Sequence, residues 1–259
     1  MKAYSVIFAG LLALGLSAPL KASDQPKPKV GIDEKLGQTV PLDAEFYDEG
    51  GNLVTLRSLI NKPTILTLVY FRCPGICTPL LNDLSKTVGK VDLPLGKDYQ
   101  ILTVSFDPRE KPEMAADKKE NYLTASDKPI DSLAWRFLTG DSVNIHRLTD
   151  AVGFYVMPSP DGNWVHPTAL IFLSPQGKIT RYINGAQYLP FDIKMAVVEA
   201  SSGTVGSPIA RILQMCYSYD TEGHRYTLNF VRVAGVVIVG FVGVFVFVFL
   251  VKPKKKQAA

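Results

Sequence analysis

An α/β fold, with a central mixed β-sheet flanked by helices, is predicted by three features of this 259-residue chain. An unbroken apolar run, Ile65-Leu66-Thr67-Leu68-Val69-Tyr70-Phe71, has the length and composition of a strand buried on both faces. Strand-like and helix-like segments then alternate as far as residue 152. Two more strand-like segments, the apolar Ala169–Leu173 and the mixed Lys178–Ile183, flank Ser174-Pro175-Gln176-Gly177, a turn composition, and read as a β-hairpin.

Taken in order, the strand at 65–71 leads into a helix over Pro79–Val88, with Leu80, Leu81, Leu84 and Val88 on one face. Thr78 and Pro79 suit its N-cap and first helical position, through a side-chain oxygen and a fixed φ. A second strand, Tyr99–Phe106, ends at Asp107-Pro108, and a polar helix follows from about Lys111 to Thr124. Trp135–Leu138 reads as a strand. Asp141 or Ser142 then caps a helix with Val143, Leu148 and Val152 as its apolar residues. After the hairpin, a last helix runs from about Pro190 to Ser201.

The two ends are of another kind. Lys2 precedes an apolar stretch from Val6 to Leu16 and small residues at Ala18 and Ala22, the layout of a signal peptide over 1–22. An uncleaved anchor is the alternative. Residues 23–39 have linker composition, and 40–203 form one domain, ample for a single core. A juxtamembrane extension occupies 204–232. Val233 to Val251 holds no charge, and its length at about 1.5 Å per residue covers roughly 29 Å, enough to span a bilayer as a helix. Lys252, Lys254, Lys255 and Lys256 follow in the tail, 252–259, which the positive-inside rule places in the cytoplasm. These four lysines equal the formal net charge of +4, so the rest of the chain sums to zero. The basic balance is thus a membrane-flank signal, and no nucleic-acid partner is expected. The localisation read from both ends is a single pass of the bacterial cytoplasmic membrane, with the folded domain outside.

The chemistry begins between the first strand and its helix. Cys73-Pro74-Gly75-Ile76-Cys77 uses two of the three cysteines on one loop. Such a pair can close a disulfide, reduce one, or hold a soft metal. At the positive end of a helix dipole the thiolate is favoured. A strand, a cysteine pair and a helix start form the thioredoxin-like arrangement, here one residue wider than the usual C-x-x-C. In thioredoxin-like folds a proline opening the hairpin strand is commonly cis and faces the cysteines. Pro167 occupies that place, which sets His166 beside Cys73 and Cys77. Two thiolates and an imidazole make a three-coordinate site that copper(I) accepts, whereas zinc asks for a fourth ligand. His146 lies in a helical pattern and reads as structural; His224 is unassigned.

Val69-Tyr70-Phe71-Arg72-Cys73-Pro74-Gly75-Ile76-Cys77-Thr78-Pro79 resembles the signature of the Sco/SenC family of copper-site assembly proteins. Ser105-Phe106-Asp107-Pro108 resembles its S-x-D-P strand end, and His166 matches its metal-binding histidine. The likeness covers about residues 40 to 200. It implies a thioredoxin-like domain that binds a copper ion through Cys73, Cys77 and His166, with Cys73 and Cys77 also a redox-active disulfide. It implies maturation of the binuclear copper centre of cytochrome c oxidase, by delivering copper, by reducing the oxidase cysteines, or both. The partners it implies are oxidase subunit II or another cuproprotein acceptor, and a membrane-linked thiol reductase. Asp107 matches an aspartate that supports the site from behind the ligands; taken alone it reads equally as a turn residue before proline.

Three features depart from the family pattern. Many members carry an N-terminal anchor, whereas this chain has a signal-like start and a C-terminal span. Position 167 is proline where the family often has a small or polar residue. Ile212–Asp220 resembles an extension of a bacterial subset. It contains Cys216, which reads as a buried thiol, a second transient copper station with Met215 or His224, or a bridge between chains. Two rivals to copper binding are a metal-free thiol–disulfide oxidoreductase and a scaffold with a structural Cys73–Cys77 bridge. The second is disfavoured because so short a loop gains little from closure. A peroxidase wants threonine three residues before its cysteine, where Tyr70 stands.

Overall fold

Residues 30–126, 128–206, 217–220 and 225–228, with positions 234, 235, 238, 241, 242 and 245, are described by a computed structural model. The signal-like segment, Cys216, His224, the tail and most of 233–251 lie outside the described residues. Among the described residues no helix is long and apolar enough to cross a membrane.

The sheet is built from β4 (Thr64–Val69), β5 (Gln100–Ser105), β6 (Trp135–Leu138), β10 (Ala169–Leu173) and β11 (Ile179–Asn184). Their order is β11-β10-β4-β5-β6, with β4, β5 and β6 parallel and β10 antiparallel to both its neighbours. Every residue of β4 and β5 is buried, which is why these strands read as continuous apolar runs without alternation. Their few polar side chains pair internally: Thr67 and Trp135 both bond the Thr103 hydroxyl at 2.8 Å.

Helices α2 (Cys77–Val88), α3 (Pro112–Thr124) and α5 (Pro190–Ser202) cover the sheet, α5 against β11, β10 and β4, α3 against β6, with α2 touching both helices. Leu80, Leu81, Leu84 and Val88 are the buried face of α2, as their spacing predicts. The stacked rings of Tyr122, Trp135 and Phe137 fill the space under α3. Helix α4 (Ser142–Ala151) is capped by the Asp141 carboxylate, which accepts the Asn144 N–H at 2.8 Å.

Several boundaries differ from the sequence reading. The first strand stops at Val69, because the Phe71 amide bonds a side chain instead of a neighbouring strand. Helix α2 begins at Cys77, two residues before Pro79, and Thr78 is not its cap: Ile76 takes a helical conformation (φ −73°, ψ −20°) without any side-chain bond. Pro79 still falls in the first turn, where no amide is needed. Val143 is 69% exposed, since the buried face of α4 follows Ile145 and Leu148 and continues to Val152. No peptide bond is cis among the described residues, so Pro167 is trans.

The segment before β4 is built into the domain. β1 (Gly31–Ile32) pairs with β7 (Phe154–Tyr155), so part of the stretch read as linker is a strand. Further along, the Gly37 amide bonds the Ile179 carbonyl, Ile179 bonds back to Gln38, and Val40 bonds Gly177. β2 (Glu45–Tyr47) and β3 (Leu53–Thr55) form a hairpin, followed by α1 (Leu56–Leu59). Tyr47 exchanges two backbone hydrogen bonds with Thr139, just past β6. A short hairpin, β8 (Met157–Pro158) with β9 (Trp164–Val165), precedes β10. The extension read at 204–232 contains antiparallel β12 (Tyr217–Asp220) and β13 (Arg225–Leu228).

Gly153 shows how closely the early segment is fitted. It adopts φ +61°, and a Cβ there would lie 1.9 Å from the Asp33 carbonyl oxygen, the neighbour of β1. Gly153→Ala is therefore expected to lower stability by about 2 kcal/mol or more, from backbone strain plus the clash. Urea denaturation checks this, and an unchanged midpoint would show that residues 31–33 are not held against 153–155.

Candidate metal centre

Beyond β4 the chain turns back on itself, with the Cys73 amide bonded to the Tyr70 carbonyl at 3.2 Å, and re-enters the fold as α2. Cys73 is partly buried, Cys77 is buried, and both are free thiols. His166 precedes β10, which runs antiparallel beside β4 with Leu170 opposite Thr67. The start of one strand therefore meets the end of the other. His166 Nε2 lies 3.4 Å from Cys77 Sγ and 4.0 Å from Cys73 Sγ. The three donor atoms lie within 4.8 Å of one another.

The imidazole is held in one orientation. Its Nδ1 is 2.8 Å from the Pro167 carbonyl oxygen. A carbonyl only accepts, so in the neutral ring Nδ1 carries the proton and the Nε2 lone pair faces the sulfurs. Tying the far nitrogen in this way is the usual means of fixing a ligand histidine. Tyr70 meets the ring edge-on (centroids 5.6 Å apart, 88°), and Phe106 packs against it at 5.3 Å.

The two thiols are unequal. Hydrogen bonding from the Cys77 thiol, and then from the amides of Cys77 and Gly75, draws the Cys73 thiol down to about 4 against its burial. Cys77 moves the other way, because it donates to Cys73 and is itself buried. Burial first, and then the adjacent Cys73 thiolate, push Tyr70 up to about 12. At neutral pH the pair is one thiolate and one thiol sharing a proton, at the N-terminus of α2.

Behind the ligands lies the turn from Asp107 to Glu110. The Asp107 side chain is fully buried, and Arg109 grips it through Nε at 2.8 Å and Nη2 at 2.7 Å. The same Nη2 reaches the Gly162 carbonyl at 3.1 Å, and the guanidinium lies 5.9 Å from the Trp164 ring centroid. The hydrogen bonds of the Asp107 carboxylate go to Arg109, through its backbone amide and its guanidinium. Glu110 is only 3% exposed and accepts the amides of Phe71 (2.7 Å) and Arg72 (2.8 Å) and the Ser105 hydroxyl (2.6 Å). Arg72, half exposed, lies 3.8 Å from Asp107 and 3.6 Å from Glu110.

Cys73, Cys77 and His166, the three residues that the sequence singles out, come together. Glu110 and Arg109 carry no comparable signal in the sequence. A carboxylate in front of a polar helix has the signature of a solvated residue, and only the return of the chain past Phe71 buries it. His146 bonds Ser142 within its own helix and stands apart from the site.

Two sulfurs and an imidazole nitrogen converging at a strand–helix junction define a thioredoxin-like protein with a combined dithiol and soft-metal site. A family model described as SCO1/SenC matches residues 34–199. The chain belongs to the SCO1/SenC family. It is 25% identical over 164 residues to a SCO1 protein homolog of Bacillus subtilis (strain 168), across 61% of this chain and 80% of that one. A crystal structure from Aquifex aeolicus VF5, of a protein named for electron transfer, is 29% identical with a TM-score of 0.60, over 67% of this chain and 98% of that one. Arabidopsis thaliana ScoI with copper bound superposes with a TM-score of 0.52 at 20% identity, over 64% of this chain and 97% of that one, which shows the shared fold.

The inequality of the thiols predicts selective modification. In the reduced chain at about pH 6, well above the value near 4 for Cys73, iodoacetamide should label Cys73 and leave Cys77 unmodified. Labelling of Cys73 should fall away only as the pH approaches that value, where its thiolate is protonated. Peptide mapping by mass spectrometry checks both, and equal labelling of the two cysteines would contradict the assignment.

Proposed function

We propose that this protein is a copper-binding assembly factor for the copper centre of cytochrome c oxidase, holding copper as cargo through Cys73, Cys77 and His166. The observation that carries the reading is the convergence of those three donors within 4.8 Å, with the Nε2 lone pair of His166 directed at the sulfurs. Soft thiolates with one imidazole favour copper(I), which is content with three ligands. The Arabidopsis relative binds copper on the same fold. Membership of the family supports, as the acceptor, oxidase subunit II or another cuproprotein, whose cysteines would take the metal by ligand exchange.

A second reading is favoured by the unequal thiols: reduction of the acceptor's cysteines. The Cys73 thiolate attacks an acceptor disulfide, forming a mixed disulfide and releasing one acceptor thiol. Cys77 then displaces the second, leaving a Cys73–Cys77 disulfide and two electrons on the acceptor. A membrane-linked thiol reductase would restore the dithiol. Both activities need the acceptor close by, and a single membrane pass over 233–251, with the domain outside the cytoplasm of a bacterium, would raise its local concentration.

Copper retained under competition by a chelator is the deciding measurement. Cys73→Ser and Cys77→Ser should each abolish stable binding, and His166→Ala should weaken it by about tenfold or more, near 1.4 kcal/mol. Cys216→Ser should leave the main site intact. If His166→Ala binds copper like the wild type while the Cys73–Cys77 potential moves by more than about 30 mV, the reductase reading replaces the copper one. For topology, a reporter active only after export should be silent when fused after Ala259 and active when fused within the domain.

A further inference from the structure

The donors come from two separate segments, and one turn grips both. Glu110 holds the segment that leads into Cys73: its two oxygens receive the Phe71 and Arg72 amides at 2.7 and 2.8 Å, and the Ser105 hydroxyl fixes the carboxylate at 2.6 Å. Asp107 holds Arg109 by a forked pair of hydrogen bonds, and Arg109 in turn holds the segment leading into His166. It bonds the Gly162 carbonyl at 3.1 Å and lies over Trp164, two residues before the histidine. Trp164 and His166 both pack on Phe106.

We propose that Glu110 and Arg109 are positioning residues with separable duties: Glu110 sets the geometry of the cysteine pair, and Arg109 sets the place of His166. The inference rests on the copper reading for its metal readout alone. Glu110 is matched to its task because a carboxylate offers two acceptors to two parallel amides, and burial makes those bonds strong. An amide in its place puts an N–H against one of them, leaving a buried donor unpaired. Arg109 acts through planar contacts that a flexible apolar chain of similar length cannot reproduce.

The test uses the full chain and three measurements: the Cys73–Cys77 potential by equilibration with glutathione, the ring-proton NMR shifts of His166, and copper retained against a chelator. With only three histidines in the chain, His166→Ala assigns the signals. Glu110→Gln should change the dithiol–disulfide equilibrium constant at least tenfold, about 30 mV for two electrons, and leave the His166 shifts in place. Arg109→Met should move the His166 shifts and lower copper retention at least tenfold, with the potential unchanged. Should Glu110→Gln fail to fold, Ser105→Ala removes one support of the same carboxylate and should shift the potential in the same sense by a smaller factor. An unmoved potential in the Glu110 variant, or both variants perturbing both readouts equally, would overturn the separation. Absence of copper from the wild type would defeat the proposed function instead, while the potential and the ring shifts still decide the positioning roles.

Discussion

The antiparallel pairing of β10 with β4 is the constraint on which the site depends. A parallel neighbour would present its far end to the cysteine loop; an antiparallel one presents its beginning. His166 is therefore delivered to Cys73 and Cys77 although 93 and 89 residues separate them in the chain. Total burial of β4 fixes the register, since a slip of one residue would swap which side chains face each helix layer. The position of the imidazole relative to the sulfurs is thus inherited from packing in the middle of the sheet.

Electrostatics at the junction refine that geometry. The N-terminus of α2 favours negative charge, and the hydrogen bond between the thiols concentrates it on the more accessible sulfur. The aromatic bed of Tyr70 and Phe106 keeps the ring from turning and leaves the Pro167 carbonyl as the partner of Nδ1. Each of these groups is supplied by a residue within a few positions of a strand end, where side chains leave the regular pleat.

Much of this was legible in the sequence because doubly buried strands leave continuous apolar runs, amphipathic helices leave a periodic face, and caps fall on a few residue types. The runs at 65–71 and 169–173, the helix face of Leu80, Leu81, Leu84 and Val88, and the Asp141 cap are of this kind. The cysteine pair was visible through its spacing, and His166 through the inferred place of its strand. What escaped were contacts without a period: two-residue strands such as Gly31–Ile32, the helical turn at Ile76 that starts α2 early, and the burial of Glu110. Asp107 reads as a turn residue and is one, yet its buried carboxylate also anchors an arginine, a role no local pattern announces.

The early segment also bears on how such domains tolerate crowding. An open sheet has two rims of unpaired backbone groups, and each can zip onto the rim of another molecule. Here residues 37–40 occupy the start of the β11 rim, while Tyr47 closes the end of the β6 rim through Thr139. A single stretch of about ten residues thus blunts both rims before the first core strand begins. Where domains gather at high density on one surface, these two rim ends are already paired and offer no template for a neighbouring sheet.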